Sequence, residues 1–467
     1  MASTQDIQVN ALEQKDIQRL FWSYAIPAIV ATTAVALYNI IDRIFIGHGI
    51  GPLAISGLAL TFPLMTLSTA LGTLVGAGAS ALVSIRLGQK EPGIARLTLG
   101  NALMLNILCG LSTAILFLSL QNPILRLFGA SNDTLPYARE FLTVILGGNI
   151  ITQVFFGMNN VLRASGHPKK AMASTLLTVG TNLALAPLFI FAFHWGIRGA
   201  AFATILSQAA GTVWTISHLL NKKNIVHFDK TCFKPDWQII RNIFTIGLSP
   251  FILHCCTCII VIIINLQLKK YGDIDFGTAI VNGKVVQGGD LAIGAFGIIN
   301  TIAGFMVMIF LGMAQGMQPI AGYNYGAKRL DRVNKVLKIT IRYASLAAVV
   351  CFLTCQCFPR QIAGMFVSNP DIINITAKGM QLYMSMFIFS GFQVVTSYLF
   401  QAINKASVSI LLSLLRQAVC LIPCLLLFPL WWHTEGVWLS QAAADFIAAL
   451  ITAGILWYHK SQGALKE

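Results

Sequence analysis

The sequence predicts an all-α polytopic membrane protein. Twelve transmembrane helices should form two six-helix bundles, related by a pseudo-twofold axis along the membrane normal. Three observations predict this: the composition, the count of apolar runs, and an internal repeat. Of 467 residues, 56% are hydrophobic and 10% charged, against about 25% charged in soluble globular proteins. So few charges cannot cover a soluble protein of this size, and the mean hydropathy is +0.72. A soluble enzyme, a disordered chain and a secreted disulfide scaffold are excluded.

Twelve apolar runs are long enough to cross about 30 Å of hydrocarbon. They cover roughly 20–46, 53–84, 98–120, 137–158, 171–193, 198–220, 241–268, 291–320, 337–358, 377–401, 408–430 and 436–458. Segment 1–19 is polar and lacks a signal-peptide core, so the first run is expected to stay in the protein. All the cysteines except Cys232 fall in apolar stretches and read as small hydrophobes. The cluster Cys255-Cys256-Thr257-Cys258 has no carboxylate beside it, and no metal site is expected.

The formal charge is +15. The bases are dispersed between apolar runs, which points to cytoplasmic loops and not to nucleic acid. One set of connections, with both termini and the central loop, takes 23 of the 32 bases; the other side takes nine. Both termini should therefore be cytoplasmic. The expected division is a cytoplasmic segment 1–19, a bundle 20–220, a cytoplasmic linker 221–240, a bundle 241–458 and a cytoplasmic tail 459–467.

The linker falls mid-chain, and a repeat runs across it. Leu53-Ala54-Ile55 matches Leu291-Ala292-Ile293, Gly88 matches Gly326, and Leu127-Phe128 matches Met365-Phe366, all at an offset of 238. Gly199 matches Gly436 at 237, and Ile26-Pro27-Ala28-Ile29 matches Ser249-Pro250-Phe251-Ile252 at 223. The change of register implies an insert of about fifteen residues, within 271–290 on the outer side. There Asn282-Gly283 separates two β-rich runs, the strongest short hairpin signal. Six spans per half return the chain to the same side. The halves therefore share one orientation, with the ligand path between them.

The chain at this point resembles the multidrug and toxic compound extrusion (MATE) transporters, over nearly its whole length. The resemblance rests on Tyr38-Asn39-Ile40-Ile41-Asp42-Arg43-Ile44-Phe45-Ile46-Gly47, on Arg163-Ala164-Ser165-Gly166-His167-Pro168, and on Gly199-Ala200-Ala201-Phe202-Ala203-Thr204. Arg416 before Gln417 in the eleventh run is similar to the bacterial branch. The resemblance implies efflux of small organic cations or drugs, driven by inward H⁺ or Na⁺, by a protein of the bacterial inner membrane. It places ion coupling on Asp42, Asn182 and Thr204. Many members carry a second carboxylate after the asparagine of the fifth span, where this chain has Ala186. A complete Na⁺ site wants several oxygens, so H⁺ is the expected ion. The seventh span also lacks the acid that some members carry.

The residues lead to the same aspartate without the family. Of 17 acids, fifteen lie in tails, loops or span ends, and only Asp42 and Asp445 lie within apolar runs. An ionisable group there costs about 2.5–3.5 kcal/mol on insertion scales and is a functional candidate by default. Pro27 gives the same helix a place to bend. The plain alternative is an interfacial acid near the end of a helix that starts at residue 20. The repeat puts Asn265 at the Asp42 position of the second half, polar but unable to ionise. Arg416 and Asp445 are expected to form a structural ion pair, and His254 reads as a hydrogen-bonded core histidine. A polyspecific pocket would suit Met65, Phe155, Phe156, Met158, Phe305, Met306 and Met308, although such residues are more often core or lipid-facing. No enzyme cluster, cofactor or nucleic-acid partner is expected, and the protein should be a monomer in the bilayer. Two other classes stay open: a lipid-linked oligosaccharide flippase of the same superfamily and a major facilitator carrier. The loop Arg86-Leu87-Gly88-Gln89-Lys90-Glu91 fits the major facilitator pattern poorly.

Overall fold

Asp16 caps the first helix: its carboxylate accepts from the backbone N–H groups of Gln18 and Arg19, at 3.1 and 3.3 Å. The second half starts in the same way, with Asp236 accepting from Gln238 and Ile239 at 2.9 and 3.0 Å. In the computed structural model, residues 15–50, 52–128, 134–281, 284–367 and 369–461 are described. The first half consists of α1 (Ile17–Gly49), α2 (Pro52–Gly88), α3 (Pro92–Leu127), α4 (Leu135–Gly147 and Asn149–Ala164), α5 (Pro168–Pro187) and α6 (Gly196–Leu219). The second half consists of α7 (Trp237–Phe276), α8 (Gly288–Gly326), α9 (Leu330–Cys357), α10 (Pro370–Tyr383 and Ser390–Ala402), α11 (Ala406–Leu414 and Ile422–Leu427) and α12 (Pro429–Ser461).

α4 and α10 are each broken, by 56° and 49°. They stand at equivalent places in the two halves, as a repeat requires. α5 continues past Pro187 as a π turn, Leu188–Ala192, and α11 is joined through a second π turn, Leu415–Leu421. Between α7 and α8, β1 (Thr278–Val281) pairs antiparallel with β2 (Lys284–Gln287), with Thr278 opposite Gln287 and Val281 opposite Lys284. The Asn282-Gly283 turn expected between them lies outside the described residues.

Among the described residues, the two lobes share apolar core at one end only. The largest core cluster takes Phe21, Leu82, Leu99 and Val161 from the first half, and Ile243, Met317, Tyr323 and Phe400 from the second. Towards the hairpin end the clusters separate. Ile46, Phe141 and Ile205 belong to the first half alone, and Ile264, Phe296, Leu421 and Trp438 to the second alone. The molecule is therefore a V, sealed at the linker face. Backbones meet at the seal: a Cβ on Gly88 would stand 1.9 Å from the Tyr323 carbonyl oxygen, and one on Gly326 2.1 Å from that of Ile85. These two contacts exchange under the 238-residue offset, so the pseudo-twofold axis runs between α2 and α8.

The expected basic connections gather at the sealed face. Lys335 pairs with Asp16 at 3.5 Å, and Arg332 donates to the Lys15 carbonyl at 2.9 Å. The linker is also packed there, not loose. Ile225, Val226, Phe228 and Cys232 are buried. Arg96 donates to the Ile225 carbonyl at 2.8 Å, and Asn101 bridges the Lys234 carbonyl and the Asp236 N–H, both at 3.0 Å. Two of the 23 bases counted by sequence with the linker-side connections, Arg163 and Arg416, are corrected. Arg163 is buried, and the Arg416 side chain is only 20% exposed, because each has polar partners inside the bundle.

Candidate functional site

α1 runs to Gly49, three residues past the end of the run read from the sequence. Asp42 lies within this helix and is 8% exposed. α1 packs against α5 on one side and α6 beyond it. There the Thr204 hydroxyl donates to the Ala200 carbonyl at 3.1 Å and accepts from the Asn182 amide at 3.3 Å. The Tyr38 hydroxyl lies 3.4 Å from the same oxygen. Tyr38 is one helical turn before Asp42 and within its electrostatic reach. The structure thus brings Asn182, Thr204 and Tyr38 into hydrogen-bond contact, with Asp42 one helical turn beyond Tyr38.

Asn182 Oδ1 is buried and has no hydrogen-bond partner among the described residues. It is an acceptor available to a protonated carboxyl or a bound cation. Ala186, one turn further along α5, is fully buried against Phe189 and Ala203. The place of the missing carboxylate is filled by hydrocarbon. Tyr38 was overlooked in the sequence, although its i, i+4 spacing to Asp42 was the signal that finds it.

The second half carries its charge elsewhere. Arg416 Nε donates to Asp445 Oδ1 at 2.8 Å. Gln441 donates to the same oxygen at 3.1 Å, and the Ser390 hydroxyl to Oδ2 at 3.2 Å. Under the repeat offsets Asp445 matches Gln208, and Ser390 matches Thr152. The Thr152 hydroxyl donates to Gln208 at 2.5 Å, so one hydrogen bond recurs with an acid in only one lobe. Asn265, the counterpart of Asp42, keeps a buried Oδ1 without a partner among the described residues. His254, on α7, is half-buried.

The apolar pocket candidates divide. Met158 is 0% exposed and belongs to the core that seals the lobes. Phe155 is buried as well, packed towards Gly211. Both are corrected from pocket wall to core in this state, because the inner stripe of α4 repeats at helical spacing through Val154, Met158 and Val161. Met65 packs at the edge of the first-half outer cluster, and Met306 at the edge of the one around Phe310. Phe156, Phe305 and Met308 are half-buried. Pro27 lies inside α1. Five residues on, the Thr32 hydroxyl donates to the Met308 carbonyl at 2.9 Å, tying α1 to α8.

The MatE family model matches residues 27–188 and again 275–426. The chain belongs to the MatE family. The ends of the two matches, 188 and 426, are 238 residues apart, the offset found in the sequence. MATE proteins are membrane transporters and not enzymes. Among curated relatives, multidrug export protein MepA of Staphylococcus aureus (strain MSSA476) is 25% identical over 452 residues, 97% of this chain and 96% of the relative. The MepA protein of Staphylococcus haemolyticus is 24% identical with the same coverage. Among solved structures, an outward-facing MATE family transporter of the MOP superfamily superposes with a TM-score of 0.90 at 24% identity, over 100% of both chains. A MOP superfamily transporter of Pyrococcus furiosus, described as having a binding pocket of reversed polarity, gives 0.90 at 23%, also over 100% of both. These likenesses establish the MATE fold.

Proposed function

We propose that this MATE protein is a secondary active exporter that exchanges small organic cations or drugs for inward H⁺ by alternating access. The carrying observation is Asp42, a buried carboxylate in an apolar bundle, beside the cluster of Tyr38, Asn182 and Thr204. The V shape supports the second part of the reading: a cleft sealed at one face is one of the two states that a rocking pair of lobes needs. The relatives named multidrug export proteins support the direction and the class of cargo.

In the outward-open state Asp42 takes a proton, loses its charge and releases the cation. After the lobes rock, it returns the proton to the other side and binds cargo again. H⁺ is favoured over Na⁺ because the Ala186 position holds methyl and phenyl groups where an oxygen ligand would be needed. The sealed, base-rich face is the cytoplasmic one, in a bacterial inner membrane, and the working unit is the monomer. Impermeant thiol labelling at a Lys230→Cys site checks the orientation: labelling from outside intact cells would reverse it.

The decisive experiment uses Asp42→Asn in proteoliposomes. Asn preserves size and is already the residue of the second half, at Asn265. Drug-stimulated proton flux should vanish while expression and melting temperature hold. Normal flux would sink the coupling role. Export with Na⁺ replaced by choline at fixed pH should continue, and its loss would move the assignment to Na⁺.

A further inference from the structure

Arg163 is the buried cation that the coupling reading does not use. It closes α4, is 7% exposed, and forms no ion pair with an acid among the described residues. Its partners are neutral oxygens. It donates to Asn159 Oδ1 on its own helix at 3.4 Å and, across the lobe boundary, to Gln315 Oε1 of α8. Beside it is a cavity of about 10 Å³, lined also by Ser80, Ser84, Asn160 and Gln318, about one water probe in size.

The place of this cavity matters. Ser80 and Gln318 are 238 residues apart, so they are the same position in the two halves, and both line it. The cavity is therefore on the pseudo-twofold axis, where the two lobes close the path. The Ser80 and Ser84 hydroxyls donate back to the carbonyls of Ala77 and Ser80 at 3.0 Å each, which leaves their lone pairs for the guanidinium and for water. The position of Arg163 in the second half is Gln401, which is neutral. Among the described residues lining this cavity, Arg163 is the one charged side chain, and it belongs to one lobe.

We propose that Arg163 is a cation barrier in the closed inner gate, excluding protons and organic cations from the seam between the lobes while the cleft is open on the other side. A guanidinium cannot be deprotonated at working pH, so the charge is permanent. A proton passing along a single water would come within a few ångströms of it, in surroundings that screen weakly. The contact to Gln315 aims the charge only while the lobes are closed. When they part, the barrier leaves the axis and cargo can enter.

The test is passive proton entry into proteoliposomes, read by an internal pH dye after an imposed potential and with no drug present. Arg163→Met and Arg163→Gln remove the charge and should leak about tenfold more than wild type. Arg163→Lys keeps the charge without the fork and should stay tight. Equal leak in wild type and in either neutral variant overturns the proposal. So does a leak in Arg163→Lys as large as in Arg163→Met, which would mean only that packing was lost. Asp42→Asn, run in parallel, should remain tight while losing coupled flux, so failure of the barrier and failure of the coupling site are read separately.

Discussion

The hydroxyl of Thr204 is the hinge of the candidate site, since one oxygen serves the Asn182 amide, the Tyr38 hydroxyl and the Ala200 carbonyl. Thr204→Val has the same shape and removes that oxygen. The buried Asn182 amide and the half-buried Tyr38 hydroxyl would lose their acceptor, which costs about 1–3 kcal/mol. We expect a lowered melting temperature and reduced drug-stimulated proton flux, with recovery of both in Thr204→Ser. Undiminished flux in Thr204→Val would remove Thr204 from the coupling site and leave it a packing residue. Asp42 was legible as a candidate because charge in an apolar run is costly. Its partners were legible only through the family, since Asn182 and Thr204 are unremarkable polar residues in their own helices.

The linker and the α4–α5 loop meet as elements at His167, which precedes Pro168 and is buried. Burial pushes its imidazole down to about 4, and Lys170 and His218 add to the effect. The unfolded chain takes up this proton near 6.5, and the folded one only near 4. Stability from neutral His167 is therefore fully present above about 6.5 and falls as pH drops towards 4. We expect the melting temperature in detergent to decline over that window, and His167→Gln to flatten the decline. An unchanged slope in His167→Gln would assign the acid sensitivity to other groups. The sequence marked 221–240 as a connection but not as a packed strap. The reason is that Ile225, Val226 and Phe228 form no periodic stripe: they are buried by a meander under α3, whose Gly100 lets the Cys232 carbonyl approach.

On the scale of the whole molecule, the shared core at one face is the state of the transporter. Ser84 and Gly322 are 238 residues apart and face each other across the axis; a Cβ on Gly322 would lie 3.0 Å from the Ser84 Cβ. Disulfides span about 3.5–4.5 Å between Cβ atoms, so a small retreat of either helix admits one. Ser84→Cys with Gly322→Cys, in a background freed of the native cysteines, should be oxidised readily. Export should stop on oxidation and resume on reduction. Full export with the disulfide complete would show that the lobes do not part at this level.

The sequence by itself determined the class, the span count, the repeat and the acid. Each depends on local chemistry: hydrocarbon thickness sets run length, duplicated segments keep their offset, and an aspartate among apolar residues stands out. It also placed β1 and β2 through their short β-rich runs, and it named Arg416 and Asp445 before their 2.8 Å contact was visible. Only the tertiary structure decided which face is shut, that Met158 and Phe155 are core, and that Arg163 is buried at the seam instead of lying in a loop. Those outcomes depend on how two lobes pack, and packing joins residues hundreds of positions apart. No helical period or charge count carries that information, because the same α2 and α8 faces would serve a V open in either direction.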